Sequence, residues 1–188
     1  MFTIDTYRHA YIQEVVSVWN DSLLYDPVTE ERFLQQVELD ENFDEELALV
    51  AKKDNKVTGF CLGLRRKYPY LTRGLEPERG WISVFFIHPD YRHKGYGTQL
   101  LHEIEDRLIK AGSKNITLCA YSPNYFSPGI DALYTEGVSF FESHGYPRSS
   151  EEYSMARDLY TVTLPENTIL HKKELEGKGI TFTMYTDT

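Results

Sequence analysis

The stretch Trp81-Ile82-Ser83-Val84-Phe85-Phe86-Ile87 is almost unbroken in β-branched and aromatic residues, the composition of a strand covered on both faces. It runs through a basic turn containing Gly95 and Gly97 into a segment where Leu100, Leu101, Ile104, Leu108 and Ala111 recur at helical spacing, with Gly112 as a stop. A strand buried on both sides needs a layer above and a layer below. The chain is therefore expected to be an α/β sandwich.

The flanking segments fit that plan. Residues 2–7 read as a strand and 9–23 as an amphipathic helix through Tyr11, Ile12, Val15, Val16, Trp19 and Leu23. Asp26-Pro27 looks like a helix start, with Asp26 as N-cap, leading into Phe33, Leu34 and Val37. Leu47–Ala51, a turn over Lys52–Lys56, and Val57–Leu64 read as a hairpin. Arg65–Gly80 is a loop, Asn115–Ala120 a strand, Tyr121–Asp131 a loop in which Asp131 suits a helix N-cap, and Ala132–His144 a helix weakened by Gly137. Tyr146–Leu164 is expected to add one or two strands. Residues 170–178 then suggest a short helix and Gly179–Tyr185 a strand. Phe182-Thr183-Met184-Tyr185-Thr186 echoes Phe2-Thr3-Ile4-Asp5-Thr6, so 165–188 reads as an extension that opens a second copy of the domain, or as an unrelated amphipathic strand.

Composition narrows the class. The chain has 188 residues, 41% of them hydrophobic, enough for one domain that needs no disulfide or structural metal. Twenty Lys and Arg against 29 Asp and Glu give a net charge of −9, a surface that repels nucleic acid and anionic lipid. The acidic run Glu38–Glu46 reads as a solvated loop, or as a collar attracting an amine. No apolar run is long enough to span a bilayer, and the first residues lack the order of a signal peptide, so a cytoplasmic protein is expected. Cys61 and Cys119 lie in apolar runs and read as reduced core residues. Six scattered His give no paired metal-ligand spacing, so no metal is expected.

The chemistry concentrates in Ile87-His88-Pro89-Asp90-Tyr91-Arg92-His93-Lys94-Gly95-Tyr96-Gly97-Thr98. A helix start exposes unpaired N–H groups and the positive end of the helix dipole. Gly95 and Gly97 let an anion approach that backbone, and Arg92, His93 and Lys94 concentrate positive charge. The segment reads as a phosphate cradle. Neither the Walker pattern nor the three-glycine dinucleotide fingerprint fits, since Leu100 stands where the third glycine belongs.

Arg92-His93-Lys94-Gly95-Tyr96-Gly97 resembles the Arg/Gln-x-x-Gly-x-Gly/Ala signature of the GCN5-related N-acetyltransferase (GNAT) superfamily. Ser139-Phe140-Phe141-Glu142-Ser143-His144-Gly145-Tyr146 is similar to that family's closing segment. The resemblance extends over residues 1–164. It implies a mixed, mostly antiparallel central sheet with helices on both faces, and acetyl-coenzyme A as acyl donor. It also implies that backbone N–H groups from His93 to Thr98 hold the pyrophosphate, while main-chain groups of Phe85, Phe86 and Ile87 line the pantetheine arm. The expected partner is an amine on a small molecule or peptide, and a homodimer is open.

The sequence departs from the family at the proton-transfer positions. The tyrosine many members carry four residues before the closing glycine is Phe141 here, and neither Trp81–Ile87 nor Asn115–Ala120 contains a glutamate. The family's Asn-x-x-Ala helix opening is replaced by Tyr134-Thr135-Glu136-Gly137, making Tyr134 a candidate acid or coenzyme contact; Tyr121 and Tyr125 are weaker candidates. The leading expectation is an N-acetyltransferase acting by direct attack in a ternary complex. The alternative is a non-catalytic coenzyme-binding or structural half of a tandem protein. A nucleotide-phosphate binder unrelated to acyl transfer is the third.

Overall fold

The computed structural model describes residues 1–153, 155, 156, 158, 160, 161 and 163–183. It divides into two compact units, Met1–Glu152 and Tyr153–Thr188. The first is built on a five-stranded sheet in the order β1 (Phe2–Thr6), β2 (Ala48–Lys53), β3 (Lys56–Leu64), β4 (Arg79–Ile87), β5 (Asn115–Leu118). Neighbours among the first four strands run antiparallel, and β5 joins β4 in parallel. The β2–β3 turn is tighter than Lys52–Lys56: Lys53 pairs with Lys56, and only Asp54 and Asn55 cross over, both at positive φ (51° and 65°). That two-residue geometry matches the twist of the strands it joins.

Side chains alternate across the sheet and meet a different helix layer on each face. On one face, Phe60, Leu62, Trp81, Val84 and Phe86 pack with α1 (Ile12–Ser22) and α2 (Glu30–Phe33), through residues such as Trp19 and Phe33. On the other, Cys61, Ile82 and Ile87 pack with Leu100, Leu101, Ile104 and Leu108 of α3 (Tyr96–Lys110) and Phe141 of α4 (Thr135–Ser143). The alternation in β4 slips by one residue at Ser83, where the β3–β4 register shifts, so Trp81 and Val84 share a face. Among the described residues, no helix is long and apolar enough to cross a membrane.

Several local expectations need correcting. Asp26 does not cap α2. Thr29 does, accepting the Arg32 N–H at 3.1 Å. Side chains of α1 hold the intervening chain extended: Trp19 Nε1 donates to the Asp26 carbonyl, and Asn20 exchanges two hydrogen bonds with the Val28 backbone. The helix therefore starts later, and it continues beyond Phe33 as a π-helical turn, Leu34–Glu38. The strand over 115–120 stops at Leu118, because Cys119 and Ala120 adopt positive φ and turn the chain away. Asp131 caps only a turn, through the Leu133 N–H; α4 begins at Thr135 with Tyr134 as N-cap.

The acidic run is neither a free collar nor wholly solvated. Glu38 accepts the Tyr7 hydroxyl, and Asp40 and Asn42 are buried around the Tyr121 hydroxyl. Tyr121 is thereby a structural tyrosine.

No strand forms among the described residues of Tyr146–Leu164; Ser154, Arg157, Leu159 and Val162 lie outside them. Met155 and Tyr160 are fully exposed there, so no packing rewards extension. In the second unit, α5 spans Glu166–Gly177. The strand expected at Gly179–Tyr185 is not formed through Thr183, because the Gly179 and Ile180 N–H groups fold back onto the carbonyls of Glu176 and Leu175. Met184–Thr188 lie outside the described residues.

Candidate functional site

The sheet opens where β5 ends. β4 keeps its β5 neighbour only from Arg79 to Ile82, and the last contact is Cys119 N–H to the Ile82 carbonyl at 2.8 Å. Beyond it, β4 continues to Ile87 with only β3 beside it. His88 N–H donates to the Thr58 carbonyl, so 88 and 58 are a hydrogen-bonded pair, and by alternation 86/60 and 84/62 are too. Phe85 and Ile87 therefore turn their main-chain groups away from β3, toward the gap. The Phe86 amide faces β3, and its ring is buried against α1.

The gap widens into a cavity of about 800 Å³ within the first unit. One wall is the free edge of β4 and the Arg92–Thr98 turn. The opposite wall is the Ser22–Val28 loop, the Phe126–Asp131 loop and the start of α4.

The turn is shaped by two left-handed residues, His93 (φ 58°) and Gly95 (φ 76°), before α3 begins. Gly95 is the N-cap and supplies no side-chain acceptor. The first intrahelical bond is Gln99 N–H to the Gly95 carbonyl, so Tyr96, Gly97 and Thr98 have N–H groups with no acceptor inside the helix. These donors and the helix dipole make an anion-accepting end. A Cβ built on Gly97 would meet Phe140 at 3.4 Å, an ordinary contact, so the position admits a methyl group.

The side chains of the turn have mostly structural partners. Arg92 donates to the Ile87 carbonyl at 3.0 Å and to the Ser22 carbonyl at 3.2 Å, and lies 3.5 Å from Glu136 on α4. It fastens the end of β4 to both helix layers. His93 also lies 3.5 Å from Glu136, with its ring largely exposed. Lys94 donates to the Asp90 carbonyl and sits over the Tyr91 ring, and the Tyr96 ring stacks on Phe2. Neither of these two lines the cavity, whereas Arg92, His93, Gly95, Gly97 and Thr98 do. His144 Nδ1 donates to the Phe140 carbonyl, leaving Nε2 to accept from the Thr98 hydroxyl at 3.2 Å. That contact orients the first turn of α3 against α4.

Tyr134 lines the opposite wall. Its hydroxyl accepts the Tyr25 N–H at 2.8 Å, and the two rings are 5.1 Å apart. Burial, reinforced by the Asp26 carboxylate, pushes its hydroxyl up to about 12, so it is a protonated donor at neutral pH. Phe141 packs edge-on against Phe85 and Tyr146 and offers no proton. Cys119 faces the cavity instead of the core. Burial and nearby Asp26 hold its thiol above its usual range despite a hydrogen bond with Ser127.

Asp26, Tyr25 and Glu136 did not emerge as site residues from the sequence. Asp26 carried a helix-cap signal, and only the fold brings the three to the cavity.

The acetyltransferase (GNAT) family matches residues 7–146. An acetyltransferase of Sodalis glossinidius is 29% identical over 121 residues, covering 64% of this chain and 77% of that protein. Among solved structures, a transcriptional regulator from Bacillus halodurans aligns with a TM-score of 0.61 at 23% identity, covering 84% of this chain and all of that one. The ribosomal-protein-S18-alanine N-acetyltransferase of Escherichia coli aligns with a TM-score of 0.59 at 17% identity, covering 80% of each chain. These structural likenesses show the fold.

Proposed function

Because the chain belongs to the acetyltransferase (GNAT) family, we propose that it is an N-acetyltransferase that moves the acetyl group of acetyl-coenzyme A to a primary amine by direct attack in a ternary complex. The observation that carries the reading is the adjacency of two sets of free main-chain groups. Phe85 and the Ile87 amide face the gap without a strand partner, the Ile87 carbonyl being taken by Arg92, and Tyr96, Gly97 and Thr98 present unpaired helix donors at its end. A pantetheine arm is a chain of amides, so it pairs with an open strand edge as another strand would. Its diphosphate then falls on the helix end. Phe86, Arg92, His93, Lys94, Gly95 and Tyr96 support this arrangement by shaping the strand, the turn and the positive surroundings of the diphosphate.

In the reaction the amine nitrogen forms a bond to the thioester carbonyl carbon and the carbon–sulfur bond breaks. The attacking amine must be neutral; an alkylammonium with a pKa of about 10.4 is only about one part in a thousand free base at neutral pH. Its proton leaves to solvent through the open side of the cavity. A backbone N–H of the free β4 edge stabilises the carbonyl oxygen as charge develops. Tyr134, kept protonated by its surroundings, gives its proton to the departing thiolate and is reprotonated from water.

The test is acetyl-coenzyme A binding by calorimetry, together with coenzyme release in the presence of an amine panel. Binding with amine-dependent release supports the reading. Binding without transfer to any amine favours a non-catalytic coenzyme-binding domain, and tighter binding of ATP than of coenzyme A overturns the donor assignment.

A further inference from the structure

The wall opposite β4 combines carboxylates with an exposed apolar rim. Four carboxylates line the cavity. Glu136 is paired with Arg92 and His93, Asp21 lies 3.9 Å from His88 Nε2, and Asp131 binds the Leu133 N–H. Among the described residues neither Asp131 nor Asp26 faces a cation, and the Tyr134 hydroxyl donates its proton in a hydrogen bond to Asp26. Its main chain is fixed by Trp19, and it follows directly on Tyr25, whose amide is bonded to the Tyr134 hydroxyl. The carboxylate thus stands beside the group proposed as the acid.

Around it the surface is apolar. Leu24, Tyr25 and Leu133 line the same cavity and are 70%, 54% and 63% exposed. Phe126 and Ile130 continue the lining inward. Large apolar side chains gathered at a cavity mouth mark a surface meant to be covered.

We propose that the acceptor is a singly charged amine on an apolar body, its ammonium held by Asp26 beside Tyr134 and its body lying on Leu24, Tyr25 and Leu133. Asp26 takes one ammonium, and the rim of Leu24, Tyr25 and Leu133 around it offers an apolar body contact but no further charge. A polyamine or aminoglycoside would bring further charges against leucine and tyrosine and lose their hydration without compensation. Asp26 is the specificity-determining residue, because it selects the ammonium and sets it next to the donor side of the cavity. This assignment rests on the acyl-transfer reading.

The test is calorimetric titration of the full chain with 2-phenylethylamine, spermidine and uncharged 2-phenylethanol, with and without saturating coenzyme A. The monoamine is expected to bind more tightly than spermidine. Asp26→Asn should weaken it by about tenfold or more, the loss of one charge-assisted contact. Asp26→Glu should restore most of the affinity, and 2-phenylethanol should not respond to either change. Tighter binding of spermidine, unchanged monoamine affinity in Asp26→Asn, or no monoamine binding to the wild-type chain in either state would overturn the proposal. Coenzyme affinity, measured in the same series, is expected to be unaffected by Asp26→Asn. Its absence in the wild-type chain would count against the acyl-transfer reading, while the coenzyme-free titrations would still report on Asp26.

Discussion

The Tyr25 amide donates to the Tyr134 hydroxyl at 2.8 Å, joining the loop after α1 to the start of α4 across the mouth of the cavity. The hydroxyl accepts that bond, and its own proton faces the Asp26 carboxylate on the cavity wall. Tyr134→Phe is therefore predicted to lower kcat by about a hundredfold, within the range of a lost general acid, with acetyl-coenzyme A affinity changed less than about twofold. Steady-state turnover and calorimetric binding on the same samples check this. A wild-type kcat would remove Tyr134 from the chemistry.

The Arg92–Thr98 turn predicts a graded response at Gly97. The methyl of Gly97→Ala fits against Phe140 at ordinary contact distance, so folding and coenzyme binding are expected to persist. Gly97→Glu places a carboxylate against the diphosphate and should weaken coenzyme binding by about a hundredfold or more, the scale of like-charge juxtaposition at an interface. Calorimetry supplies the affinities, and matched thermal melts show whether the fold is intact.

Arg92 acts through its neighbours. Its guanidinium donates to the carbonyls of Ile87 and Ser22, so Arg92→Ala frees the end of β4 from α1 as well as removing charge near the anion-accepting end. The expected result is a stability loss of about 2 kcal/mol in urea, as for charged hydrogen bonds to partly buried carbonyls, together with weaker coenzyme binding. Wild-type values of both would show that neither contact matters.

Glu76 and Arg66 form a different kind of element, a pair away from the cavity. The Arg66 side chain is fully buried, 3.0 Å from Glu76 and surrounded by Tyr70, Trp81 and Tyr121. Burial opposes ionisation of Glu76, but its hydrogen bonds to Arg66 and Arg79 outweigh that and hold its carboxyl below the usual 4.5. With the folded value depressed, this stabilisation is complete above pH 4.5 and is lost as pH falls through the folded value. Glu76→Gln should cost about 3 kcal/mol at neutral pH, because it strands a buried guanidinium. The difference from wild type should shrink in acid, and urea melts at both pH values would reveal it.

What the sequence made legible was local. The uninterrupted apolar character of Trp81–Ile87, the spacing of Leu100 to Leu108 and the basic Gly95–Gly97 turn each specify one element through neighbouring residues, and all three stand where they were expected. The end of β5 was not legible, because nothing about a cysteine followed by an alanine announces positive φ at Cys119 and Ala120. Asp26-Pro27 carried a genuine capping signal that tertiary bonds from Trp19 and Asn20 overrode. Tyr25 and Tyr134 are 109 residues apart, so their contact leaves no periodic trace. The candidate donor side of the site is thus written in one short segment. The opposite wall is assembled from distant loops and emerges only in the folded chain.

The most direct measurement is coenzyme A titration of ¹⁵N-labelled protein, followed through the backbone amides. Phe85, Ile87, Tyr96, Gly97 and Thr98 are expected to shift together and saturate at one common affinity. If the coenzyme binds while those amides stay in place and a different set moves, the pairing of strand edge and helix end is contradicted.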